Sequence, residues 1–183
     1  MPRRATDGGT YRGLLGAFRY SFGASDSWLF RAYVAVAGFA GLFVTLIFAF
    51  GVVTLLAATS SAAGGVFTLS RSFYLVVLVL VLVPLFAPVL LVARRHRRAG
   101  STARYDRALA LAGFLFLLSL YLAALVSAPP AQREAPPAAV APVVEFLYAL
   151  PPLAGLVPPV AAAALVYVAH RAFGAKPGKD GDA

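Results

Sequence analysis

The sequence predicts an all-α, polytopic membrane fold: four transmembrane helices preceded by a short N-terminal amphipathic helix at the interface. Three observations lead there. Four stretches carry no charged residue, Ala32–Ser70, Ser72–Ala93, Ala108–Gln132 and Phe146–His170, with lengths of 39, 22, 25 and 25 residues when histidine is counted as neutral. An α-helix rises about 1.5 Å per residue, so roughly 20 residues cross a hydrocarbon layer about 30 Å thick. Each stretch can cross, and the first can also leave a loop. The mean hydropathy of +0.82 and the charged fraction of 13% lie well outside the range of soluble domains. The third observation is the placement of the 16 lysines and arginines.

Arg3, Arg4, Arg12, Arg19 and Arg31 precede the first stretch, and Arg171, Lys176 and Lys179 follow the last. Arg94, Arg95, Arg97, Arg98, Arg104 and Arg107 fall between the second and third. With four crossings these fourteen charges share one side, and only Arg71 and Arg133 are left for the other. Basic residues near membrane ends are retained in the cytoplasm, which predicts that both termini and the 93–107 segment lie inside. The six middle arginines are expected to contact anionic lipid headgroups, each adding about 1 kcal/mol of attraction. Topology therefore accounts for the pI of about 10.5 without nucleic acid.

Residues 1–27 form the N-terminal cytoplasmic segment. In "YRGLLGAFRYSF" (11–22), Leu14, Leu15, Phe18 and Phe22 stand 3, 4, 7 and 11 residues after Tyr11, on one helical face. Arg12 and Arg19 flank that face, as in a helix lying in the headgroup layer. A helix packed beneath the bundle would show the same pattern. Gly23 ends it, and Ser25, Asp26 or Ser27 can cap the next helix by accepting backbone N–H bonds.

The transmembrane domain covers 28–171. Its first helix, 28–57, opens with Trp28 and Tyr33, aromatic rings suited to headgroup depth. Ala37, Gly41, Thr45 and Ala49 recur along it every fourth residue, a stripe on which a neighbouring helix can pack closely. The second helix, 73–94, contains Pro84 and Pro88, each lacking a backbone donor, and a bend near mid-membrane follows. The third covers 106–127, with Ser101 or Thr102 able to cap an earlier start. The fourth, 143–171, holds the pairs Pro151–Pro152 and Pro158–Pro159, so its outer half is predicted to be disturbed and partly unwound. Residues 172–183 are predicted to be a disordered cytoplasmic tail. The first apolar stretch far exceeds a signal h-region of roughly 7–15 residues, so no cleaved leader is expected.

The chemistry that this sequence offers is narrow. It has no cysteine, which excludes disulfides, thiolate catalysis and sulfur metal sites, and no asparagine to accept a glycan. Ser119 lies roughly 20 Å above the cytoplasmic end of its helix, whereas His96 and His170 sit at that end, so a Ser–His nucleophile is not expected. The two histidines, with only Asp26 and Asp106 nearby, make a poor metal set and read as interfacial side chains. No catalytic residue, cofactor or metal ligand is assigned. Polar groups inside the spans reduce to Thr45, Ser119, Tyr121 and Tyr148, with no ionisable group at mid-membrane of the kind proton- or sodium-driven transporters keep. Glu145 stands at the outer edge, about 37 Å from His170 along the helix. It either pairs with Arg133 or Arg71, or marks an outer vestibule with Tyr148, Pro151, Pro152, Pro158 and Pro159.

The stretch "YRGLLGAFRYSFGASDSWLFRAYV", residues 11–34, resembles the N-terminal segment of small uncharacterised membrane proteins of halophilic archaea. The resemblance implies a four-helix plasma-membrane protein and transfers no functional residue. The function expected is that of a non-enzymatic accessory or scaffold subunit, as a homo-oligomer or within a larger membrane complex. A small transporter or channel using the proline-disturbed second and fourth helices is the alternative, and an intramembrane enzyme stands third.

Overall fold

The computed structural model describes residues 13–58, 66–98 and 100–174. Among them lie six α-helices and no strand: α1 (Gly13–Ala24), α2 (Trp28–Ala58), α3 (Val66–Arg98), α4 (Ala103–Val126), α5 (Ala141–Ala149) and α6 (Val157–Gly174). Four segments are long and apolar enough to cross a membrane: Trp28–Ala58, Ser72–Arg98, Ala103–Val126 and Pro152–Gly174.

The boundaries differ from the expected ones for local reasons. The second helix does not end at Arg94 but runs to Arg98. Arginine is a good helix former, so the helix outlasts its apolar stretch. It stops before Gly100, whose φ of 71° is the left-handed conformation that glycine adopts at low cost after a helix. The third helix begins at Ala103 rather than 106, because the Thr102 hydroxyl accepts the backbone N–H of Tyr105. The basic segment therefore contains the end of one helix, at Arg98, and the start of the next, at Ala103.

The fourth span is broken rather than merely disturbed. Leu150, directly before Pro151, is held extended at φ −72° and ψ 148°, as crowding from the proline ring requires. A 3₁₀ turn over Pro152–Leu156 then leads into α6. Pro158 and Pro159 disrupt nothing, since the first turn of a helix has no partners for their missing N–H groups. One side of the break packs on α4: a Cβ built on Gly155 would stand 3.0 Å from the carbonyl oxygen of Ala123, and Ser127 donates to the carbonyl of Pro152 at 3.4 Å, while Pro151, Pro152 and Leu153 are exposed.

Helix α4 is central and packs against α2, α3, α5 and α6, while α1 lies across α3 and α2. The helices run in alternating directions, so the start of α2, the end of α3, the start of α4 and the end of α6 meet at one arginine-rich end. The core gathers there, around Phe30, Tyr33, Leu85, Val89, Leu109 and Phe116. Away from it, Phe43, Ile47 and Phe50 of α2 and Phe73, Val76 and Leu80 of α3 point outward.

Tyr33, expected beside Trp28 at headgroup depth, is instead fully buried, and its hydroxyl donates to the Leu85 carbonyl at 2.5 Å. Ser21 of α1 does the same one turn on, donating to the Val89 carbonyl at 3.0 Å. The buried face of α1 is thus Ala17 and Ser21, with Leu15 and Phe22 turned outward. Tyr11 and Arg12 lie outside the described residues.

The small-residue stripe on α2 divides in two. Ala37 and Gly41 are buried, and Thr45 and Ala49 are exposed. A Cβ on Gly41 would overlap Cζ and Cε1 of Phe86, whose ring borders open space and can swing aside. Gly41→Ala is therefore expected to destabilise by only about 1 kcal/mol in thermal unfolding.

Candidate functional site

The most organised polar chemistry lies at the arginine-rich end, in a cluster built on Asp106. This residue occupies the first turn of α4, where the helix N-terminus favours a negative charge. It is 1% exposed. Burial of a carboxylate requires full hydrogen bonding, and three groups supply it. Ser25, in the turn joining α1 to α2, donates to Oδ2 at 2.5 Å. Ser101, in the α3–α4 connection, donates to Oδ1 at 2.7 Å. Nε2 of His96, in the last turn of α3, lies 3.0 Å from Oδ2.

The serine side of this cluster is locally determined. Ser25 Oγ also accepts the backbone N–H of Ser27 at 3.2 Å, and Ser27 Oγ caps α2 by accepting the N–H of Phe30 at 3.3 Å. Of the three caps expected for α2, Ser27 is the one used. Arg31, one turn into α2, folds back to donate from Nε to the Ser25 carbonyl at 2.8 Å. The turn is thereby pinned from both sides.

Neighbouring Tyr105 faces elsewhere, since adjacent helical positions differ by about 100°. Its hydroxyl lies 2.8 Å from Nδ1 of His170 on α6, and the Arg95 guanidinium sits over its ring at 4.4 Å. Arg104 lies over Phe173 at 5.4 Å, a second cation–ring contact between α4 and α6. Asp106 and Tyr105 together stitch α4 to every segment that reaches this end.

The geometry shows what this cluster can do. In a nucleophilic set a serine passes its proton to an imidazole. Here Ser25 and Ser101 both donate to the carboxylate, and the Ser25 oxygen is further occupied by a backbone N–H. The arrangement is a clamp, with Asp106 the shared acceptor. His96, expected as an interfacial side chain, is a member of it, and His170 meets Tyr105 on the neighbouring face.

The other residues singled out in the sequence are dispersed. Arg94, Arg97 and Arg98 line a polar cleft of about 410 Å³ at the end of α3, and Arg107 is exposed on α4. Glu145 is exposed on α5 and makes no ion pair among the described residues, while Arg133 lies over the Tyr148 ring at 5.0 Å and donates to the Ala128 carbonyl. The side chain of Arg71 falls outside the described residues. Pro151 and Pro152 are exposed at the break, and Pro158 and Pro159 are half-buried at the start of α6.

Sequence reasoning missed Asp106 as the hub. A signal was present: Asp106, Ala110 and Gly113 share one helical face with Phe116, and small residues on such a face mark it as inward.

Residues 3–174 match the family described as Domain of unknown function (DUF8056), and the chain belongs to it. No curated protein and no solved structure matches the chain.

Proposed function

We propose that this member of the family is a non-enzymatic, multi-pass protein of the plasma membrane, acting as an accessory or scaffold subunit. Both termini and the arginine-rich end face the cytoplasm in this reading. The observation that carries it is the saturation of Asp106: its two oxygens take three partners from three segments, which supports a structural use for the only strongly polar interior the described residues contain. The outward apolar faces of α2 and α3 leave room for a second copy or a larger complex. The likeness of residues 11–34 to small membrane proteins of halophilic archaea belongs to the same reading. A transporter fits less well, because no acidic or basic side chain is buried along the spans between Asp106 at one end and the break at the other among the described residues.

The chain has no cysteine, so single cysteines report sidedness cleanly. Ala103→Cys, at the start of α4, is expected to resist a membrane-impermeant maleimide in intact cells, and Gln132→Cys, beyond its other end, to react. The opposite pattern would reverse the orientation. In native mass spectrometry from mild detergent, the chain is expected to carry a second subunit, its own or another. A lone monomer throughout would remove the scaffold role.

A further inference from the structure

The arginine cleft is the upper part of a longer feature. Below it, between α1 and α3, runs an almost wholly apolar groove of about 480 Å³, with Leu14 of α1 on one wall and Val79, Val83, Phe86 and Leu90 of α3 along its length. Leu90 lines both the groove and the cleft. The continuity is written into α3: Val79, Val83, Phe86, Leu90, Arg94 and Arg97 follow one another at steps of three or four, a single face that changes from apolar to cationic after Leu90. From Val83 to Arg97 this face extends about 21 Å at about 1.5 Å per residue, comparable to an acyl chain with its headgroup.

The ring of Phe18 meets Phe86 edge-on at 5.2 Å, which anchors α1 beside the groove. The nearby Asp106 is turned inward and engaged by Ser25, Ser101 and His96. Guanidinium groups pair with phosphate oxygens in bidentate fashion, which suits three of them to one anionic headgroup.

We propose that this surface is a binding site for one anionic phospholipid, with its phosphate among Arg94, Arg97 and Arg98 and an acyl chain along Val83, Phe86 and Leu90 beside α1. The occupant is a lipid rather than a soluble phosphate because charge and groove form one continuous surface. The proposal rests on the membrane reading above, and goes beyond it in requiring one defined site rather than diffuse attraction.

The test uses the full chain in nanodiscs of phosphatidylglycerol and phosphatidylcholine with identical acyl chains, with retained lipid read by native mass spectrometry. Wild type is expected to hold one phosphatidylglycerol in preference to phosphatidylcholine. The triple variant R94Q/R97Q/R98Q is expected to hold it about a hundredfold more weakly, from three cationic contacts near an anionic phosphate. Val83→Trp fills the groove with every arginine intact, at an exposed position that leaves folding undisturbed, and should also release the lipid. Equal retention of the two lipids, or an equal loss in R104Q/R107Q, reduces the site to general interfacial charge and overturns the proposal. Displacement by soluble glycerol phosphate, with Val83→Trp silent, reassigns the arginines to a free phosphate and overturns it as well. Failure of every form to enter nanodiscs would strike the membrane reading itself, an outcome separate from the others.

Discussion

Gly113→Ala is expected to destabilise the protein by about 3 kcal/mol, well beyond the usual effect of one added methyl group in a helix. A Cβ at this position of α4 would overlap Cζ and Cε2 of Tyr33 and stand 2.6 Å from its hydroxyl. The ring has nowhere to retreat. It is fully buried, it meets Phe114 edge-on at 5.2 Å, and its hydroxyl is committed to the Leu85 carbonyl. Moving the ring takes its buried hydroxyl away from that acceptor, which adds about 1–3 kcal/mol to the steric term. Phe86 opposite Gly41 can swing into open space, and the contrast between the two glycines is the point of the experiment. Unfolding should be followed thermally in detergent or nanodiscs. Tyr33→Ala removes the obstruction, so adding Gly113→Ala to it should cost little. A neutral Gly113→Ala in the otherwise native chain would show that α4 does not approach α2 as closely as described.

The same pair marks where sequence reading succeeds and where it stops. The spans were legible because each depends on a local property, an uninterrupted apolar stretch long enough to cross. The break at Leu150 was legible for a similar reason, since a proline restricts the residue before it wherever it occurs. The end of α3 was not, because hydropathy falls at Arg94 while the helix persists to Arg98 on the helix-forming character of arginine. Tyr33 was placed at the headgroups by a tendency that describes lipid-facing aromatic rings. What draws it inward is Gly113, 80 positions away and visible only once α2 and α4 are side by side. Asp106 is the plainest case. In the sequence it figures only as an acid near the histidines in a poor metal set, and its burial depends on Ser25, 81 residues earlier in the chain.

That dependence leads to the second large effect. Asp106→Ala is expected to destabilise by roughly 3–5 kcal/mol, the range for removing one partner from a buried charged network. The loss is not one hydrogen bond. The buried Ser25 hydroxyl is left without its acceptor, the half-buried Ser101 loses its own, His96 loses the carboxylate at 3.0 Å, and α4 is released from α3 and from the α1–α2 turn together. Asp106→Asn keeps the shape and an acceptor oxygen, and the serine hydroxyls can rotate to accept from its amide, so it should cost about 1–2 kcal/mol. Ser25→Ala and Ser101→Ala should each cost about 1 kcal/mol. The mechanism has its own signature in proteolysis. With Asp106 gone the turn at Ser25–Ser27 should become the first site of cleavage, because this carboxylate is its hydrogen bond to α4 and the others, from Arg31 and within the turn itself, are local. A double-mutant cycle between Asp106→Ala and Ser25→Ala should show coupling above about 0.5 kcal/mol, since the two residues share a single contact. Additive effects, or an unchanged cleavage pattern, would mean that the clamp does not hold this end of the bundle and that the packing of Phe30, Leu109 and Val89 suffices alone.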